Sequence, residues 1–347
     1  MYKISDIDFC DIMNDKAIDF EMLKNKTFLI SGGSGFIPSY IILLLLALNK
    51  LGYGIKIIAL VRNMEKAKIK FNLYLNDRNL ILVNHDVINY YDGAEFKIDF
   101  IIHAASLASP KYFLTKPCDI INTNCIGTFN MLKLAYEKKV KSFLFFSSGE
   151  VNGDIYDKVD YVNEGNYGSI DPLIVRNCYA ESKRIGESLC SCWNYQYDIP
   201  TKIVRPSHTY GPGVDPDDER AFACIINSVK NEKDIILKSD GSAKRSFCYL
   251  SDATRAYINI LLNGKSCDAY NVSNSYQISI KELAELAVSV SKNRKLKIIY
   301  NNDELRSSNP SSTQQNANMD ITKIRNLGWM PRVDEREGLR RIFFEAN

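Results

Sequence analysis

The chain has 347 residues, 46% of them hydrophobic and 24% charged, enough for one large α/β domain with a smaller lobe or for two domains. Its 44 Lys and Arg against 41 Asp and Glu leave a net charge of +3, too small to attract nucleic acid or an anionic membrane surface. Nine cysteines without CxxC pairs and only three histidines argue against a disulfide scaffold or a Cys/His metal centre, so free thiols in a reducing cytoplasm are expected.

Residues 1–26 read as a short helical lead-in, with none of the apolar stretch of a secretion signal. "TFLIS" at 27–31 reads as the first buried strand, and "GGSGFIP" follows it. The spacing Gly32-x-x-Gly35-x-x-Pro38 is close to a dinucleotide-binding turn, with proline where a third glycine is expected. Gly32 would turn the chain and Gly35 would admit a pyrophosphate to a helix N-terminus. Proline in a first helical turn sacrifices no hydrogen bond, so the cradle reading survives it. The competing reading is a plain strand-to-helix turn. The run "YIILLLLALN" at 40–49 is about half of what a bilayer requires and reads as a buried helix.

"KIIALV" (56–61), "LILVNHD" (80–86), "DFIIHAAS" (99–106), "SFLFFSS" (142–148) and "TKIVRPS" (201–207) continue the series of strands, with helical patterns between them, notably 118–139 and 177–197. This alternation predicts βαβ units in a Rossmann-type doubly wound parallel sheet. Residues 27–207 would form the dinucleotide domain. Residues 208–347 would form mainly a substrate lobe over the sheet's C-terminal edge, with some segments returning to the sheet. Arg62 ends the second strand, where an acidic residue would accept from the ribose of NAD and an arginine would accommodate the 2′-phosphate of NADP. Arg62 therefore suggests NADP, against the alternative of a solvated strand-end charge. Asp86, after the third strand, suits the adenine edge.

"CYAESK" places Tyr179 and Lys183 one helical turn apart. An ammonium near a phenol favours phenolate, which lets tyrosine take a hydroxyl proton near neutral pH. The spacing alone is common. Joined to "FFSSGEV" at a strand end, it predicts a redox centre in which Ser147 or Ser148 bonds the reacting oxygen, with Glu150 beside it.

The ordered set "GGSGFIP", "HAASLASPKYF", "INTNCIGTFNMLKLA", "SSGEVNGD", "RNCYAESKR", "RPSHTYGPG", "DGSAKRSFCYLSD", "YNVSN" and "LGWMPRV" resembles the extended short-chain dehydrogenase/reductases of the nucleotide-sugar epimerase/dehydratase group, above all the UDP-glucuronate decarboxylases. The resemblance spans residues 27 to about 335. It implies a homodimeric enzyme that carries out redox chemistry at C4 of a nucleotide-diphosphate sugar, with bacterial surface polysaccharide as the usual setting. It also implies Ser148, Tyr179, Lys183 and Glu150 as catalytic residues. Gly32, Ser34, Gly35, Phe36, Ile37, Arg62, Asp86, Val87, Ala104, Ala105 and Lys183 would hold NAD or NADP. Ser106, Ser148, Glu150, Arg176, His208 and Arg245 would meet the sugar nucleotide, with Arg245 at its pyrophosphate. Gly149 stands where the dehydratases carry an aspartate, which disfavours a dehydratase. The chain departs from the decarboxylase pattern at Arg62, at His208 (usually asparagine) and at Gln314–Asp320, which lacks an arginine for the diphosphate. An NADPH-dependent 4-keto-6-deoxy sugar reductase and a C4-epimerase are the alternatives among enzymes. A non-catalytic NADP-sensing scaffold is the alternative outside them.

Overall fold

Runs of Ile, Val and Phe that are apolar at every position need cover on both faces, and a parallel sheet between two helix layers supplies it. The computed structural model describes residues 3–155, 159–300 and 318–345 and shows this arrangement. Strands β1 (Thr27–Ser31), β2 (Lys56–Val61), β3 (Leu80–Asn84), β4 (Phe100–His103), β5 (Ser142–Phe146), β6 (Thr201–Pro206) and β7 (Asp268–Val272) form one sheet in the order β7-β6-β5-β4-β1-β2-β3. Every pairing within it is parallel. The strand order reverses between β1 and β4, which opens a crevice at their C-terminal ends.

Helices α1 (Asp6–Met13), α2 (Phe36–Lys50), α3 (Gly127–Lys138), α4 (Cys178–Tyr197), α5 (Ala221–Lys230), α6 (Leu250–Asn263), α7 (Ile280–Val290) and α8 (Glu335–Phe344) complete the frame. Alternate β1 residues point to opposite faces, as the period of a strand requires. Phe28 and Ile30 join a core with α2 and α6, while Leu29 joins one with Met131, Leu132 and Cys190 of α3 and α4. Helix α2 is buried from Pro38 to Leu46 because sheet, α6 and the N-terminal segment enclose it. The helical stretch expected over 118–139 is interrupted by one wide π turn at Asn122–Ile126.

The region after residue 207 contributes α6 and β7 to the main body. Most of its remaining elements form a third core around Tyr210, Phe222, Ile226, Leu283 and Leu339, while Ile321, Ile324 and Trp329 join the core of α2 and α6. Helix α1 is fastened to the far end of the chain: buried Asp8 accepts from Tyr40 (2.8 Å), Tyr249 (3.2 Å) and Arg341 of α8 (3.0 Å). Asp15 pairs with the fully buried Arg255, which also holds Asp252. Among the described residues no helix is long and apolar enough to cross a membrane, and no group of His, Cys, Asp and Glu is placed to hold a metal.

Candidate active site

The turn after β1 has little room. Gly32 has φ +69°, and a Cβ there would lie 2.8 Å from the Ala105 Cα. A Cβ on Gly33 would lie 2.9 Å from that of Ala59, so this glycine serves the packing of the turn on β2. Gly35 is the extended N-cap of α2, and the Ser39 N–H donates to its carbonyl at 3.1 Å. Pro38 is the third helical residue, where an N–H would have no intrahelical acceptor. The N–H groups of Phe36 and Ile37 open the helix, half-buried at the crevice with Ser34 beside them in the turn. Across the crevice, Ser31 Oγ accepts from the Ala104 and Ala105 N–H groups, both at 3.2 Å, and lies 2.7 Å from His103 Nδ1. Thr128 donates to the Asn124 carbonyl, so its oxygen accepts from His103 Nε2 at 3.1 Å and Nδ1 accepts a hydrogen bond from the Ser31 hydroxyl. Burial holds His103 neutral, its pKa pushed down to about 3. Among the described residues, Ser106 Oγ is buried without a hydrogen-bond partner. Narrow glycines, a free helix start and an orphaned hydroxyl fit a pyrophosphate and its riboses.

At the other end of the crevice, Arg62 Nη1 stands 3.9 Å from Asp86, both partly exposed. Val87 is buried beneath them, against Gly127, and its carbonyl accepts from Asn130 at 2.9 Å. The structure thus brings the two expected ribose and adenine residues together as an ion pair.

The chemistry-bearing side chains meet where β5 ends. Ser147 donates to Glu187 of α4 at 2.5 Å. Ser148 caps the short turn Gly149–Asn152, accepting from the Glu150 N–H at 3.2 Å, and also hydrogen-bonds Tyr179. The Tyr179 ring is 7% exposed and stacks on Phe113, with centroids 4.7 Å apart. Lys183 is 2% exposed, donates to the Phe146 carbonyl at 2.7 Å and lies 5.8 Å from the Tyr179 ring centre. Burial, helped by the Glu150 charge, raises the Tyr179 phenol well above its ordinary value, against the opposing Ser148 hydrogen bond and Arg220. The lowering expected from the Tyr–Lys spacing is outweighed here, because desolvation disfavours the phenolate more strongly. Burial also pushes Lys183 down to about 7, opposed by the Glu187 carboxylate. The site can therefore exchange a proton near neutral pH through Lys183.

A cleft of about 190 Å³ opens over Ser148, Glu150 and Tyr179. Arg176 reaches Glu150 at 3.0 Å. Arg245, His208 and Arg220 line the opposite wall, and burial with the two guanidiniums pushes His208 down to about 3. Ser207 Oγ is a second orphaned hydroxyl there. Sequence reading missed Arg220, which sits in the run "DPDDER" and looks like a solvated charge. Asp218 grips its guanidinium at 3.0 and 2.6 Å and sets it in the cleft. Of the segment Gln314–Asp320, residues 314–317 lie outside the described residues, and Met319 reaches the cleft wall.

Sheet order, glycine turn and Tyr–Lys helix together define a dinucleotide-dependent enzyme of the Rossmann class. The chain belongs to the NAD dependent epimerase/dehydratase family, whose model matches residues 28–273. It is 33% identical over 322 residues to UDP-glucuronic acid decarboxylase 5 of Arabidopsis thaliana, covering 91% of this chain and 88% of that protein. Its fold is that of an epimerase from Methanothermobacter thermautotrophicus (TM-score 0.79, 21% identity, 96% of this chain and 95% of that one). It is also that of the UDP-glucuronic acid 4-epimerase of Bacillus cereus, solved with UDP-glucuronic acid and NAD (TM-score 0.76, 21% identity, 92% and 98%).

Proposed function

We propose that this chain oxidises C4 of a UDP-linked hexuronic acid and decarboxylates the product, as the name of its Arabidopsis relative describes. The observation that carries the reading is that Ser148, Glu150 and Tyr179 line one cleft, with Lys183 buried behind them 5.8 Å from the Tyr179 ring centre. Ser148 would hydrogen-bond the C4 oxygen, and Tyr179 would take its proton while passing its own phenol proton towards the neutral Lys183 amine, which would also hold the nicotinamide ribose. When bound at the turn of Gly32 and Gly35, the dinucleotide would supply hydride transfer at C4 in both directions. The 4-ketone is β to the carboxylate, so the C5–C6 bond breaks with release of carbon dioxide, and its electron pair passes into an enolate at C4 and C5. C5 would then take a proton from water in the cleft, and Tyr179 would return a proton to the C4 oxygen as the ketone is reduced. Arg220 and Arg245 would hold the diphosphate, their forks suited to its oxygens. The test is incubation with UDP-glucuronate and NAD+, followed by product analysis. UDP-xylose and carbon dioxide are expected. UDP-galacturonate would show an epimerase, and no conversion would refute both.

Arg62 supports a second reading, NADPH-dependent reduction of a 4-keto-6-deoxy sugar nucleotide. In either, NADP(H) would bind at least as well as NAD(H). Segments 208–249, 273–300 and 333–345 would form the sugar-nucleotide lobe. A homodimer would form on α3 and α4, which leave Phe129, Tyr136, Ile185 and Tyr197 exposed on neighbouring surfaces. The nine unpaired cysteines favour a reducing cytoplasm.

A further inference from the structure

Behind the cleft lies an ion pair that the redox chemistry above does not use. Arg205 of β6 is fully buried, and Glu187 of α4 nearly so. Arg205 spends all five of its N–H groups. Two go to Glu187 (2.8 and 2.7 Å), one to Asn152 (3.2 Å), one to the Glu164 carbonyl (3.0 Å) and one to Tyr167 (2.8 Å). Glu187 also accepts from Ser147, the residue before Ser148. Asn152 closes the turn that Ser148 caps and that carries Glu150. One carboxylate–guanidinium pair therefore grips both ends of the Ser147–Asn152 segment and fastens it to the helix bearing Tyr179 and Lys183.

A buried pair of this kind rarely adds stability over an apolar replacement, so its contribution is to be sought in geometry and field. Glu187 is one helical turn beyond Lys183. The other groups that act on this ammonium are thiols and an imidazole. Cys190 on the same helix and Cys125 from the π turn are kept protonated by burial, and His103 of β4 is kept neutral. Tyr179 is a phenol. Arg205 lies on the far side of Glu187.

We propose that Glu187 is the positioning residue of the redox centre, clamping the Ser147–Asn152 segment to α4 through Arg205 and supplying the counter-charge for the Lys183 ammonium. The inference rests on the reading of Lys183 as a ligand of the nicotinamide ribose, and a binding measurement separates the two. NADH affinity is titrated against pH by fluorescence for the wild type, Lys183→Met, Glu187→Asp and the double variant Glu187→Gln/Arg205→Met, with thermal melts alongside. The double variant removes both charges, so neither is left buried alone. Wild-type affinity should fall as pH rises through the Lys183 titration. In the double variant that fall should move to lower pH by about one unit, because the favourable charge is gone. Glu187→Asp keeps the charge but cannot span Ser147 and Arg205, so its affinity should drop about tenfold while the pH of the fall stays nearly unchanged. A folded double variant whose titration coincides with that of the wild type overturns the inference. If the double variant does not fold, wild-type affinity in Glu187→Asp overturns it. Wild-type NADH affinity at every pH in Lys183→Met would instead remove the underlying role of Lys183.

Discussion

Replacing Gly186 with alanine tests whether the seat of α4 on the sheet sets the redox geometry. An added Cβ would overlap Phe145 Cζ and lie 2.9 and 3.1 Å from Cε1 and Cε2. Ordinary carbon contacts are about 3.5–4.0 Å, so helix and ring must part by roughly 1 Å. The ring is 1% exposed and hemmed in by His103, with centroids 5.9 Å apart, and by Lys183 Nζ at 5.1 Å. The helix must therefore give way, carrying Tyr179 and Lys183 from Ser148 and from the Phe146 carbonyl. Overpacking costs about 1–3 kcal/mol, and alanine in place of a helical glycine returns about 1 kcal/mol. The net loss of about 0–2 kcal/mol lowers the melting temperature by a few degrees at most. A displacement of about 1 Å at reacting groups costs on the order of a hundredfold in rate. Single-turnover formation of reduced nicotinamide from UDP-glucuronate, measured beside a thermal melt, should thus show a large kinetic loss with a small thermal one. A variant with wild-type rate would refute the claim that this contact sets the site.

Tyr179→Phe keeps the stack on Phe113 and removes only the hydroxyl, so NADH affinity should hold while the redox step slows about 10²–10⁴-fold; an unchanged rate on a confirmed substrate sinks the mechanism. Lys183 falls to about 7 in the fold from an ordinary 10.5, so the unfolded chain binds more protons between those values. The cost of the buried ammonium is full below pH 7 and is relieved as pH rises towards 10.5. Lys183→Met should therefore be more stable than wild type in urea unfolding at acidic and neutral pH, with a margin that shrinks in alkali, and a constant margin would count against the buried cation. Arg62→Asp should move the ratio of NADP to NAD dissociation constants about tenfold towards NAD, the value of one charge-assisted hydrogen bond; an unmoved ratio means that Arg62 does not read the phosphate.

The sheet was legible because five of its strands carry unbroken apolar runs, a pattern few other environments tolerate, and the sixth, "TKIVRP", follows them in the same alternation with helices. The seventh, "DAYNV", has no such run: it lies at the sheet edge, and Asn271 uses its side chain to bridge the Val162 and Asp320 carbonyls at 3.0 Å each. The π turn at Asn122–Ile126 carries no local signal, since "NTNCI" suits any helical winding. Tyr179 and Lys183 could be seen because their spacing is local to one helix. Arg220 could not, because only Asp218 and the cleft wall give it direction. Glu187 and Arg205 stand on a helix and the next strand, and nothing in either segment names the other as partner. The phenol's upward shift was equally hidden, since the amount of burial depends on Phe113 and the whole cleft.

The link between α1 and α8 has a bearing on the order of assembly. Asp8 is 1% exposed, and burial raises its carboxyl even with Tyr40 and Arg341 attached. A chain emerging from the ribosome carries Asp8 from the start, yet its cation arrives 333 residues later. Tyr40 can reach Asp8 early, and Tyr249 only once α6 begins. The sheet from β1 to β6 can form while α1 still samples solvent. Docking of α1 then becomes a late event that reports completion of the C-terminal lobe. An early helix is thus sealed late, against α6 and Arg341 together.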